Sequence, residues 1–197
     1  MFFSPALLSL FQKGIPVDLL CLSSGNFYGD GHKRCQELKK SAALLGIRHL
    51  KIAIDNKLPD HPREVWPTDL IQKHILQAVE KWHSKTLLSF DSYGVSGHSN
   101  HCQLFRALAE FVPRPDVKIY LLKSYNVVIK YFTPLAILLA IFSSNALIFT
   151  VPFTSTFIPH KAMLQHRSQL LWFRYLYIIF SSYMYTNLFI PLKRHVK

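Results

Sequence analysis

Beyond Asp116 the chain has no acidic residue. All 11 Asp and Glu lie between Asp18 and Asp116, whereas residues 117–197 carry nine Lys or Arg within an overall net charge of +12. A segment so unbalanced points to an anionic partner. Because the same segment is dense in Leu, Ile, Phe and Tyr, the partner it fits is an anionic membrane surface rather than a nucleic-acid phosphate track. Cysteine is also scarce: Cys21, Cys35 and Cys102 are odd in number and widely spaced, with no CxxC pair. That excludes a disulfide framework and a CxxC-type structural zinc site, and it suits a reducing compartment. The N-terminal stretch MFFSPALLSLFQKGIP has no basic lead-in and no small-residue cleavage site, so it reads as the inside of a helix rather than a signal peptide. There is no internal repeat and no low-complexity tract, and 197 residues suit a single domain spanning 1–197.

What the chain does contain is an alternation of short β-rich runs and helical patterns. Strands are predicted at 17–23, 49–55, 86–90 and 117–122, with helices at 32–47, 68–82 and 100–111. Such an alternation implies crossover units and an α/β fold, with a parallel sheet covered by helices on both faces. Ligands of such sheets sit where the carboxyl ends of strands open into loops. The loops SSGNFYGDG and DSYGVSGHSNH are therefore the places to look for a site. Residues 133–152 form a 20-residue run without charge, long enough for a membrane span. The turn-forming Ser143, Ser144 and Asn145 in its middle favour the other reading, a buried helix, a turn and a buried strand.

The second of those loops carries two histidines three apart. Gly94 and Gly97 let the backbone bend, and His98 and His101 can then face one pocket from the first turn of a helix. This is an arrangement for a metal ligand beside a second catalytic imidazole.

Four stretches taken together, LLCLSSGNFYGDGHKRCQELKKSAALLGI, DNKLPDHPREVW, FDSYGVSGHSNH and HRSQLLWFRYLYIIFSSYMYTNL, resemble the N-acetylglucosaminyl-phosphatidylinositol de-N-acetylase (PIG-L) family, a branch of the LmbE-like zinc deacetylases. The resemblance runs in order along nearly the whole chain. It implies a Rossmann-like sheet and hydrolysis of the acetamide on a glucosamine-inositol phospholipid. It places that reaction in glycosylphosphatidylinositol (GPI) anchor synthesis, on the cytoplasmic face of the endoplasmic reticulum membrane.

The resemblance also distributes roles. It makes His101 a zinc ligand and His98 the group that meets the oxyanion, with Asn100 between them orienting an imidazole. Arg34 opens the helix after the SSGN loop. Its guanidinium suits the inositol phosphate, the alternative being an exposed ion pair with Glu37 worth a few tenths of a kcal/mol. Asn26 and Gly25 shape the pocket. Asp91 either steers His98 or caps the turn. Gln169 and Arg174 match the family's late block, and the aromatic run from Trp172 to Tyr185 combines helix packing with a face for lipid or a neighbouring protein.

The family's other zinc motif, AHPDDE, does not occur, and in relatives it ends about where Met1 stands. The expectation is thus a sheet lacking its first strand, and a chain without two of three zinc ligands, the general base or an N-terminal anchor. It is a truncated chain with impaired catalysis or, alternatively, an inactive membrane-associated binding member of the family. Two internal sets look like ligands on paper, Asp60, His61 and Glu64 in one and Asp30, His32 and Cys35 in the other, but neither keeps the family spacing.

Overall fold

A computed structural model describes residues 2–111 and 114–193. The expected position of Met1 just past the family motif lies outside those residues. The chain opens with α1 (Ser4–Gln12), followed by β1 (Asp18–Cys21), α2 (Gly31–Leu44), β2 (His49–Ile52), α3 (Thr68–Trp82) and β3 (Thr86–Phe90). A short α4 (Gly94–Gly97) leads into α5 (Ser99–Ala109) and β4 (Lys118–Leu122). The C-terminal part contains α6 (Val127–Tyr131), α7 (Thr133–Ile141), β5 (Leu147–Thr150), α8 (Phe157–Leu164), α9 (Trp172–Phe180) and β6 (Thr186–Pro191).

The strands fall into two sheets. β1 and β2 pair in parallel, Asp18 opposite His49 and Cys21 opposite Ile52. The second sheet has the order β3-β4-β6-β5. Within it β3 and β4 are parallel, but β6 runs antiparallel to both of its neighbours. Among the described residues no ladder joins β1 to β3. The fold is therefore α/β as expected, with the four predicted strands in parallel pairs, and the unforeseen β6 adds the antiparallel ones. The cause is Tyr183, fully buried just ahead of β6. Its hydroxyl donates to the Lys123 carbonyl at 2.9 Å and accepts from the Tyr125 amide at 3.0 Å. A strand that starts beside the exit of β4 has to run back along it.

Side-chain alternation sends the two faces of the second sheet into different cores. Ile119 and Leu121 of β4 point to one side, with Leu87, Ile71, Ile75, Val79, Ala107 and Leu108. That cluster also takes in Leu20 and Leu22 from β1 and the residue after it, so α3 and α5 cover both sheets at once. Tyr120 and Leu122 point the other way, with Phe2, Ala6, Phe149, Tyr177, Tyr183 and Phe189. α1 is pinned to this second face by Asn187, which accepts from the Ala6 amide at 3.1 Å and donates to the Phe2 carbonyl at 2.8 Å.

The uncharged run 133–152 is divided as its middle suggests, into α7, a turn in which Asn145 takes φ +58°, and β5. Its burial differs from the expectation. α7 buries only Ala136 and Ala140, and leaves Ile137, Leu138, Leu139, Ile141 and Phe142 exposed. No described helix is long and apolar enough to cross a membrane.

Candidate active site

The turn after β3 is held from below by Asp91. Its Oδ1 accepts from the amides of Tyr93 (3.2 Å) and Gly94 (3.1 Å) and from the Ser124 hydroxyl (2.5 Å), while Oδ2 accepts from the Ser124 amide (2.7 Å). The carboxylate is spent on the turn and on the exit of β4, so of its two expected roles it takes the capping one. Gly94 has φ +60° and the buried Val95 φ +69°, an unusual backbone for a β-branched residue, held by a 2.8 Å bond from the Val95 amide to Ser124 Oγ. This turn brings the Gly94 carbonyl within 3.0 Å of His101 Nδ1. A carbonyl can only accept, so the proton sits on Nδ1 and the Nε2 lone pair is left to bind something else.

His101 is further fixed by Phe90, stacked on it at 3.9 Å and 9°, and by the edge of Phe2 at 5.9 Å. Burial pushes its pKa down to about 4, so it is neutral near pH 7, as a metal ligand has to be. His98 lies on the solvent side, at the N-cap of α5, with its ring centroid 4.9 Å from that of His101. The structure thus brings the two predicted histidines together, one inner and fixed, the other outer and accessible.

Arg34, Asp60 and Asn100 form the neighbouring wall. Asp60 faces both partners, accepting from Asn100 Nδ2 at 3.3 Å and lying 3.7 Å from the Arg34 guanidinium. Asn100 therefore does not hydrogen-bond an imidazole as expected; its amide is turned to Asp60, and its Oδ1 is buried without a partner. Arg34 does not pair with Glu37 either. Its stem lies against Gly25, where a Cβ would come within 2.9 Å of Arg34 Cδ, and its Nε is buried without a partner. Glu37 instead accepts from the Ser168 amide (2.8 Å) and hydroxyl (2.6 Å). Asn26 Oδ1 accepts from the Gly31 amide at 2.8 Å, so its oxygen caps the start of α2 rather than facing a ligand. Arg174, on the first turn of α9, has its pKa lowered, by burial first and then by the charge of Arg34.

Among the described residues no group of three or more His, Cys, Asp or Glu is arranged to hold a metal ion. Neither internal set assembles. His61 Nδ1 accepts from the Arg63 amide, and its ring lies 5.2 Å from that of Phe27. The described residues therefore fit zinc at one position only, His101. The bridging Asp60 and the Glu37–Ser168 contact were not foreseen. Ser168 is 131 residues from Glu37, and no local spacing announces such a pair.

A family model described as GlcNAc-PI de-N-acetylase matches residues 1–112, more than half of the chain, including the histidine turn and the Arg34–Asp60–Asn100 wall but not Ser124 or Ser168. The chain belongs to this family. The de-N-acetylase of Bos taurus is 37% identical over 193 residues, covering 95% of this chain and 76% of its own length. A probable N-acetylglucosaminyl-phosphatidylinositol de-N-acetylase of Schizosaccharomyces pombe is 36% identical over 198 residues, covering 95% and 79%. In fold the chain is similar to N,N'-diacetylchitobiose deacetylase from Pyrococcus horikoshii, with a TM-score of 0.63 at 16% identity, over 95% of this chain and 77% of that one. The fold is thus that of LmbE-like deacetylases, and the assignment is to a family of deacetylases.

Family membership makes the Gly94 turn testable by activity as well as by stability. A Cβ at Gly94 would lie 2.6 Å from His101 Cβ, on a backbone with positive φ. Gly94→Ala is expected to displace His101 and to lower deacetylase turnover about 100-fold, the usual cost of a 1 Å misplacement. Steady-state kinetics beside a thermal melt check this; unchanged turnover would mean that His101 tolerates the shift.

Proposed function

We propose that this chain hydrolyses the N-acetyl group of N-acetylglucosaminyl-phosphatidylinositol, a GPI-precursor lipid, at the cytoplasmic face of the endoplasmic reticulum membrane. The observation that carries this reading is the junction, within the family-matched segment, of the His98–His101 turn with the Arg34–Asp60–Asn100 wall. In the reaction water adds to the acetamide carbonyl, the amide C–N bond breaks, and acetate and a free amine leave. His98, accessible at the rim, meets the oxyanion that develops on the former carbonyl. His101 offers Nε2 to zinc, with the Gly94 carbonyl holding its tautomer and Asp91 holding the Gly94 peptide. Zinc, when bound, supplies carbonyl polarisation and water activation.

Arg34 is the group for the inositol phosphate. Its fork is only loosely engaged by Asp60 at 3.7 Å, and a phosphodiester would satisfy it better. Asp60 and Asn100 act through it by setting its position.

The test is acetate release by the zinc-supplied protein from N-acetylglucosaminyl-phosphatidylinositol, compared with N-acetylglucosamine lacking the inositol phosphate. The expected result is strong preference for the phosphoinositide, with Arg34→Ala raising KM by roughly 10- to 100-fold and changing kcat less. Equal rates on both substrates, or an Arg34→Ala effect confined to kcat, would remove the phosphate role.

A further inference from the structure

α7 is packed inside out for a helix facing water. An ordinary surface helix turns its large apolar residues to the core and its small or polar ones to solvent. α7 turns the small residues Ala136 and Ala140 inward, and leaves Leu138 49%, Ile141 68% and the following Phe142 80% exposed. Small residues against protein with large ones outward is how helices pack when their surroundings are themselves apolar. α9 repeats the pattern with aromatics. Tyr177 and Ile178 are buried, whereas Trp172, Tyr175, Leu176 and Ile179 form an exposed stripe at helical spacing, Trp172 at 75%.

The two helices form one surface. Tyr131 at the end of α6, with Phe132 and Pro134 at the start of α7, shares an open groove of about 320 Å³ with Ile179, Phe180 and Tyr185. Tyr185 donates to the Ile179 carbonyl at 2.8 Å and lies 3.4 Å from His160 Nε2, which joins α8 to the same patch. Phe157, opening α8, is 73% exposed, and Phe153 just ahead of it 95%.

Charge selects the occupant. From residue 117 onward there are nine Lys or Arg and no carboxylate, so a second copy would set like charge against like, whereas an anionic bilayer supplies the counter-charge. Lys130, partly buried, sets its ammonium 5.7 Å from the Tyr131 ring centroid at the edge of this surface. No described helix can span the bilayer, so the fitting mode is to lie in the interface.

We propose that the surface formed by α7, α9 and the Phe153–Phe157 segment inserts into the headgroup region of an anionic bilayer, with α7 and α9 lying in its plane. This rests on the proposed lipid substrate for its purpose. Ser168, just before α9, hydrogen-bonds Glu37 on α2, the helix that also carries Arg34. The inserted face therefore borders the candidate active site, and the glycolipid reaches His98 with its acyl chains still in the membrane.

The experiment uses the full chain with phosphatidylcholine vesicles containing phosphatidylserine, read by co-sedimentation and by quenching of Trp172 with shallowly brominated lipid. Leu138→Gln/Phe142→Ser is expected to weaken partitioning by about tenfold or more per residue. Phe153→Ser, at a side chain that touches almost nothing, is expected to act in the same direction without a change in melting temperature. Trp172→Phe should abolish most of the quenching. Undiminished partitioning of both variants, or sedimentation without Trp172 quenching, overturns the proposal. A lipid-free dimer abolished by the same substitutions also overturns it, in favour of a second copy. Hydrolysis of acyl-free N-acetylglucosaminyl-inositol phosphate is read in parallel. If that substrate is turned over equally by parent and variants, the surface serves the membrane and not the chemistry. If the parent turns over neither that substrate nor N-acetylglucosaminyl-phosphatidylinositol in the same vesicles, the proposed function fails while the vesicle result stands.

Discussion

In a version that also carries the family's AHPDDE segment, His101→Ala is expected to remove zinc and turnover together, whereas His98→Ala keeps the zinc and loses turnover by roughly 10²- to 10³-fold. The difference follows from where the two rings sit. His101 is neutral, its Nδ1–H is committed to Gly94, and it is clamped between Phe90 and Phe2, so its Nε2 lone pair is in place before any ligand arrives. Removing it removes a donor and leaves the Gly94 carbonyl without its partner. His98 is exposed at the N-cap of α5 and takes no part in that hold, so its contribution arises as charge develops on the substrate oxygen. Metal content after dialysis against limiting zinc, measured beside kcat, separates the two. Equal zinc in both variants would contradict the assignment. His101→Gln restores a side-chain amide donor near Gly94, and distinguishes loss of a ligand from collapse of the turn.

Glu37→Ala is expected to destabilise the protein by about 3 kcal/mol, since two hydrogen bonds to a buried carboxylate are lost and the Ser168 amide and hydroxyl are left unsatisfied. For a chain of this size that lowers the melting temperature by roughly 6–12 °C. The same contact makes stability fall in acid. Burial pushes His166 from 6.5 to about 4, so the unfolded chain takes up a proton that the folded chain refuses, and stability declines as pH drops through that interval. Burial works to raise the Glu37 carboxyl, but the Ser168 hydrogen bonds and the charges of His166 and Lys33 outweigh it and leave its pKa below 4.5. Its contribution is complete above 4.5 and is lost as pH falls through the lower, folded value. The parent should therefore melt progressively earlier from about pH 6.5 downward, and Glu37→Gln should flatten only the lowest part of that profile. A melting temperature constant from pH 7 to 4 would exclude the His166 effect, and identical profiles of parent and Glu37→Gln below pH 4.5 would exclude the Glu37 effect.

How much of this was legible beforehand depends on how local each feature is. The strand at 86–90 and the helix at 68–82 are found at the predicted bounds, because apolar periodicity and flanking polar turns act over a few residues. The paired histidines were legible for the same reason: a glycine-rich turn running into a helix places residues three apart on one side. The carbonyl that fixes the His101 tautomer is seven residues away and depends on two successive positive φ values, one of them at a valine, which no propensity announces.

The sequence by itself determined the α/β alternation, the basic and acid-free C-terminal part, the family, and the turn that carries the two histidines. Tertiary structure alone decided that β6 runs antiparallel, because a buried tyrosine hydroxyl ties its start to the exit of β4. It also decided that Asn100 serves Asp60 rather than an imidazole, and that Glu37 reaches Ser168 rather than Arg34. α7 shows why the divide falls there. A helix apolar on every side has no phase in its sequence, so only the neighbours it packs against settle that its alanines face inward and its leucines outward.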